Sequence, residues 1–142
     1  MTTINPYLNF EGNCEAAFEF YRSVFGGEFI TKSYMKDIPS DQPAAPEYDN
    51  MIMHIALPVG PSAILMGSDR PRAFGPMTMG DNFHIAINPA SEAEADQLFN
   101  GLSAGGQVIM PMNKTFWGAY FGMLKDKFGV QWMVNYDLNQ QQ

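Results

Sequence analysis

Cysteine is almost absent from this sequence. The one residue, Cys14, cannot close an internal disulfide, and a lone thiol cannot build a cysteine-based zinc site. Its expected place is a buried position on a helix. Cations are scarce too: 8 Lys and Arg stand against 15 Asp and Glu, a formal net charge of -7 with a pI near 4.6. Such a surface repels a phosphate backbone and no basic cluster offsets it, so the charge argues against a nucleic-acid partner. Long apolar runs are missing as well. None approaches the length of a membrane span, and MTTINPYLNF lacks the basic start and unbroken apolar stretch of a secretory signal. The expectation is a cytoplasmic protein with no membrane partner.

What is present suits one compact domain: 142 residues, 46% hydrophobic, enough for a sizeable core. Residues 4–10 alternate, with Pro6, Leu8 and Phe10 on one face and Asn5, Tyr7 and Asn9 on the other. Asn13 suits a helix N-cap, and Ala17, Phe20, Tyr21 and Val24 follow at helical spacing up to Gly26-Gly27. Residues 28–35 resume as a strand. Residues 36–50 hold three prolines and form a loop long enough for a lid. Residues 51–58 and 62–67 form a hairpin, with His54 on the strand face opposite Met53, Ile55 and Leu57.

Residues 67–82 are rich in Gly and Pro and carry Arg70 and Arg72, so they read as a linker. The pattern then starts again. Phe83, Ile85 and Ile87 alternate with His84, Ala86 and Asn88; Ser91 and Glu94 make a capping box; Ala95, Leu98, Phe99 and Leu102 form an apolar stripe; Gly105-Gly106 closes the helix. Residues 107–114 are a strand. Residues 115–136, TFWGAYFGMLKDKFGVQWMVNY, are a hairpin about the turn 126–129. In it Trp117, Ala119, Phe121 and Met123 share a face, as do Gln131, Met133 and Asn135 on the partner strand; Leu124, Trp132 and Val134 belong beneath the second helix, with Gly118 and Gly122 letting it approach. Laying the two Gly-Gly stops over each other sets Phe20 on Phe99 and Asn5 on His84, the mark of an internal duplication. The fold expected is α+β: two tandem β-α-β-β-β modules, residues 1–69 and 83–138 with a linker at 70–82, each using one sheet face for its helix and leaving the other to line a cleft. Asp69 and Asp126 follow strands at turns and read as turn-forming residues rather than a catalytic pair.

PYLNFEGNCEAAFEFYRSVFGGE, the MHIAL strand with LMGSD after it, and TFWG..FGMLKDKFGVQWMVN together resemble PhnB-like proteins of the vicinal-oxygen-chelate superfamily, relatives of glyoxalase I and the bleomycin-resistance proteins. The similarity covers nearly the whole chain. It implies mixed sheets that curl around a cavity, usually in a homodimer, with metal ligands on the first and last strands of the modules. Carried over by position, those ligand sites fall on Asn5, on Leu65 or Met66, on His84 and on Met133. One histidine, a neutral amide oxygen and two apolar residues do not suit a divalent ion that needs several hard or borderline donors. The expectation is therefore a protein with no tightly bound metal or other cofactor, the alternative being a weakly bound divalent metal.

On this reading His84 is the candidate general base. Asn5, Tyr7, Asn9, His54, Trp117, Phe121, Met123, Gln131 and Met133 are the candidate ligand-binding residues, with Asn88 and Asn135 as further polar groups. Arg70 and Arg72 can reach an anionic group at a cavity mouth. The expected function is binding of a small molecule between the modules. The alternatives are a metal-assisted lyase or dioxygenase and, ranked last, a demethylubiquinone methyltransferase; FEGNCEAAF offers no glycine-rich loop for a methyl donor.

Overall fold

The computed structural model describes residues 2–37 and 46–140. The chain forms two compact units, Met1–Thr78 and Met79–Gln142. In the first, β1 (Tyr7–Phe10), α1 (Cys14–Phe25), β2 (Thr31–Tyr34), β3 (Ile52–Val59) and β4 (Ala63–Asp69) make a four-stranded sheet in the order β1-β4-β3-β2. The β1–β4 pair is parallel and the others are antiparallel. Short 3-10 turns at Met35–Asp37, Pro46–Tyr48 and Arg72–Phe74 complete it. The lid expected over residues 36–50 lies mostly outside the described residues.

β1 and β2 are shorter than their alternation suggested, β1 starting at Tyr7 and β2 at Thr31. Leu8 and Phe10 turn inward as expected, and Ile55, Leu57 and Leu65 join them beneath α1. The helix buries Cys14, Ala17, Phe18 and Tyr21. Phe18, not Phe20, is thus the aromatic of the stripe. The reason is the glycine opposite: a Cβ built on Gly67 of β4 would lie 2.6 Å from Phe18 Cε1 and 2.8 Å from the Leu8 carbonyl oxygen, so only a bare backbone admits the ring. Each fully buried side chain of this size contributes roughly 1.5–3 kcal/mol through burial.

The start of α1 also differs from expectation. Asn13 makes no side-chain cap. Asp69, at the end of β4, takes that place across the unit: its Oδ1 accepts from the Gly12 and Cys14 backbone N–H groups at 2.8 and 3.0 Å, and its Oδ2 accepts from Ile52 N–H at 2.8 Å. One carboxylate ties the helix entry to the first residue of β3. It is a helix cap more than a turn residue.

The second unit repeats the order with β5 (Ile85–Ile87), α2 (Glu92–Ser103), β6 (Gln107–Lys114), β7 (Ala119–Lys125) and β8 (Gln131–Asp137), arranged β5-β8-β7-β6 with β5 parallel to β8. The capping box forms: Ser91 Oγ accepts from Glu94 N–H at 3.1 Å, while Glu94 Oε1 accepts from Ala90 N–H at 3.0 Å. Ala95, Leu98, Phe99 and Leu102 are all buried, as are Leu124, Trp132 and Val134. Gly122 is the close-approach point, where a Cβ would meet Phe99 Cε2 at 2.8 Å. Phe83 is 58% exposed, so the apolar stripe expected from it begins only at Ile85. Asp126 shapes the hairpin: Oδ1 accepts from the Phe128 and Val130 backbone and Oδ2 from Trp132 Nε1 at 2.8 Å. This is the turn role expected of it. The observed class is α+β with two mixed sheets, as expected.

Candidate functional site

In each unit the helix covers one sheet face, and the candidate residues project from the other. In the first unit, paired strands set Asn9 beside Ser68 and Ser33 beside His54, and partners across a pleated sheet point the same way. A row of small polar groups therefore crosses the sheet. Tyr7, beside Met66, lies over His54 with ring centroids 5.8 Å apart and its hydroxyl 3.5 Å from Nδ1, a long contact rather than a strong hydrogen bond. Asn5 lies ahead of β1, and its Oδ1 accepts from Ile64 N–H at 3.0 Å, a bond that ties the chain entry to β4.

Beside this row is a cavity of about 480 Å³. Asn9, Ser68 and Arg70 give it polar groups, and Met35, Met53 and Phe74 give it apolar wall. Met53 was expected on the helix side with Ile55 and Leu57. It is 37% exposed instead, because Ser33 pairs with His54 and Tyr34 with Ile52, leaving Met53 as the extra residue of a bulge. Asp69 also borders the cavity, but it is 4% exposed and both oxygens are engaged by backbone N–H groups. Arg70 follows it; its Nη2 donates to the Phe74 carbonyl at 2.7 Å and its backbone N–H to the Phe10 carbonyl at 2.6 Å.

In the second unit the open face is softer. Met110, Met123, Met133 and Ala86 pair in sequence across all four strands, a thioether-rich row. Phe121 pairs with Asn135 and stands 6.3 Å from Trp117, which is 59% exposed. Two of the polar candidates serve the backbone: Gln131 Nε2 donates to the Phe83 carbonyl at 2.8 Å, and Asn88 Nδ2 to the Asn135 carbonyl at 3.2 Å. Neither Gln131, Met133 nor Asn135 is fully buried, in keeping with a face turned away from α2. His84, half-buried just ahead of β5, has no hydrogen-bond partner among the described residues.

The donor set can be tested against a divalent ion. No three of His, Cys, Asp and Glu come together among the described residues. The Asn5 amide oxygen is spent on Ile64, and Met133 faces Met123. These residues do not fit the hard, several-donor centre of a glyoxalase-type metalloenzyme. Cys14 adds no nucleophile: it is fully buried, and burial, helped by the Asp69 and Glu15 charges, pushes its thiol far above the usual range.

The sequence match that decides the family spans residues 3–134, against the model for the Glyoxalase/Bleomycin resistance protein/Dioxygenase superfamily. The chain belongs to that superfamily. Protein YjdN of Escherichia coli K12 is 29% identical over 140 residues, 93% of each chain. The crystal structure of protein PA1353 from Pseudomonas aeruginosa is similar at 44% identity and a TM-score of 0.85, covering 96% of this chain and 98% of that one. The PhnB protein of Bacillus cereus, which carries a 3-demethylubiquinone-9 3-methyltransferase label, matches at 25% identity and a TM-score of 0.75 over 95% and 99%. The resemblance to PhnB-like proteins is thus borne out, as is the superfamily fold. No helix among the described residues is long and apolar enough to cross a membrane.

Ser33, Ser68, Met35, Met53 and Phe74 were missed in the sequence. Alternation could have marked Ser68, two residues beyond Met66 on the same face. Nothing in the sequence signals the bulge at Met53 or the 3-10 turn that brings Phe74 to the cavity.

Proposed function

We propose that this superfamily member binds a small molecule on the open faces of its sheets, without a tightly held metal ion. The observation that carries the reading is the first unit's cavity, about 480 Å³, which joins an apolar wall of Met35, Met53 and Phe74 to a few fixed polar groups. Methionine walls re-pack around guests of different shape, which suits a carrier or protective role. Tyr7, Asn9 and His54 border that face in the first unit; Trp117, Phe121, Met123, Gln131 and Met133 do so in the second. The donor chemistry at Asn5, His84 and Met133 supports the metal-independent part. A metal-assisted lyase or dioxygenase is the second reading, favoured by His84, whose ring has no partner among the described residues. A methyl-donor site at the β1–α1 turn has no such support, because the Asp69 carboxylate occupies the helix N-terminus where an anionic group would dock.

The same proposal includes a homodimer in the cytoplasm. The support for the dimer is β6, an edge strand on which Val108, Ile109 and Met110 are 47%, 49% and 47% exposed.

The test pairs two titrations of the full chain. A fragment library followed by amide NMR should shift Asn9, Ser68 and Phe74. Calorimetry with zinc, nickel, manganese and iron should show no tight stoichiometric uptake. Tight one-to-one binding that disappears in His84→Ala would overturn the metal-independent reading, and a library that leaves those amides unmoved would overturn the cavity.

A further inference from the structure

Arg70 is the one cation among the described residues lining the first unit's cavity. Arg22 pairs with Glu19 and Glu28, Lys32 with Glu15 and Lys114 with Glu92. Arg70 has no carboxylate partner among the described residues, although it borders a cavity and is only partly exposed. The one carboxylate beside it is committed elsewhere. Asp69 accepts the Gly12, Cys14 and Ile52 backbone N–H groups, so its oxygens answer the helix start rather than the guanidinium. The Phe74 carbonyl takes a single donor of the guanidinium, at Nη2. That bond holds the planar fork in place, while most of its N–H groups remain for a guest. Around it stand Met35, Met53, Pro71 and Phe74, apolar side chains that leave the hydrogen-bonded Asp69 as the only other charge among the described residues lining the cavity.

We propose that the first unit's cavity selects small organic anions with an apolar body, the anionic group on Arg70 and the body against Met53 and Phe74. The inference rests on the small-molecule reading above and adds the charge of the guest. A neutral guest of the same shape would fill the apolar wall but leave the guanidinium half-desolvated and unpaired. A cation would meet it directly. The chain's net charge of -7 works against anions at long range, so the preference must come from short-range pairing and should weaken with salt.

The test compares 2-naphthoate with 2-naphthamide, near-isosteric probes that differ in charge, titrated into the full-length protein and read at the Asn9, Ser68 and Phe74 amides. Naphthoate is expected to bind about tenfold more tightly than naphthamide. In Arg70→Gln that ratio should fall to about one with naphthamide little changed, and Arg70→Lys should restore part of it; the amide spectra report directly that each variant is folded. Equal affinities in the unaltered protein, or equal loss of both probes in Arg70→Gln, would overturn the inference while leaving the cavity as a binding site. If neither probe moves those amides, the small-molecule reading falls with it.

Discussion

At the scale of single residues, the chemistry of this protein is set by what its polar groups are already committed to. Asp69 looks like a candidate acid in a cavity wall, yet it is the fastener of the first unit. Replacing it with alanine would leave the buried Cys14 and Ile52 backbone donors unpaired, along with the part-buried one of Gly12. A loss of roughly 3 kcal/mol or more is expected, seen as a lower denaturation midpoint in urea, and a change under 1 kcal/mol would show that water replaces the carboxylate at about no cost. Asp126 does the same work in the second unit's hairpin. Asn5 and Gln131 are likewise engaged with backbone, at Ile64 and Phe83. The commitments of Asn5 and Gln131 are invisible in a sequence, because their partners lie 59 and 48 positions away. Residue type marked these positions as polar and outward-facing; distance alone says which are free for a ligand.

At the scale of elements, helix and strand periodicity located both β-α-β-β-β repeats, and the Gly-Gly stops and the Ser91 capping box formed where expected. The misreading of the α1 stripe has a steric cause. Phe18 and Phe20 are equally plausible on an amphipathic helix, and the choice falls to Phe18 because Gly67 opens a space for its ring. Gly67→Ala should therefore cost about 1–3 kcal/mol by forcing that ring aside, measurable as a lower thermal midpoint. An unchanged midpoint would mean that α1 shifts freely over the sheet. The Met53 bulge is a further element-scale feature that alternation misplaces. A single extra residue reverses the expected face locally, and it moved an assumed core methionine to the cavity wall.

At the scale of the whole molecule, the exposed apolar strip on β6 leads to an expectation about assembly. Sedimentation should find a dimer at micromolar concentration, and Val108→Lys with Met110→Lys should yield a folded monomer. A monomeric unaltered protein would refute it. Taken alone, the sequence determined the superfamily, the repeated topology, the sheet face that meets the helix in the second unit, and the poverty of metal donors, since these follow from periodicity, turn chemistry and residue type. Tertiary structure decided what depends on distances between remote segments. It decided that Asp69 and not Asn13 caps α1, that Phe18 takes the space over Gly67, and that Met35, Met53, Ser68 and Phe74 meet around Arg70, because a cavity and its unpaired charge come into being only when strands far apart in the chain are brought side by side.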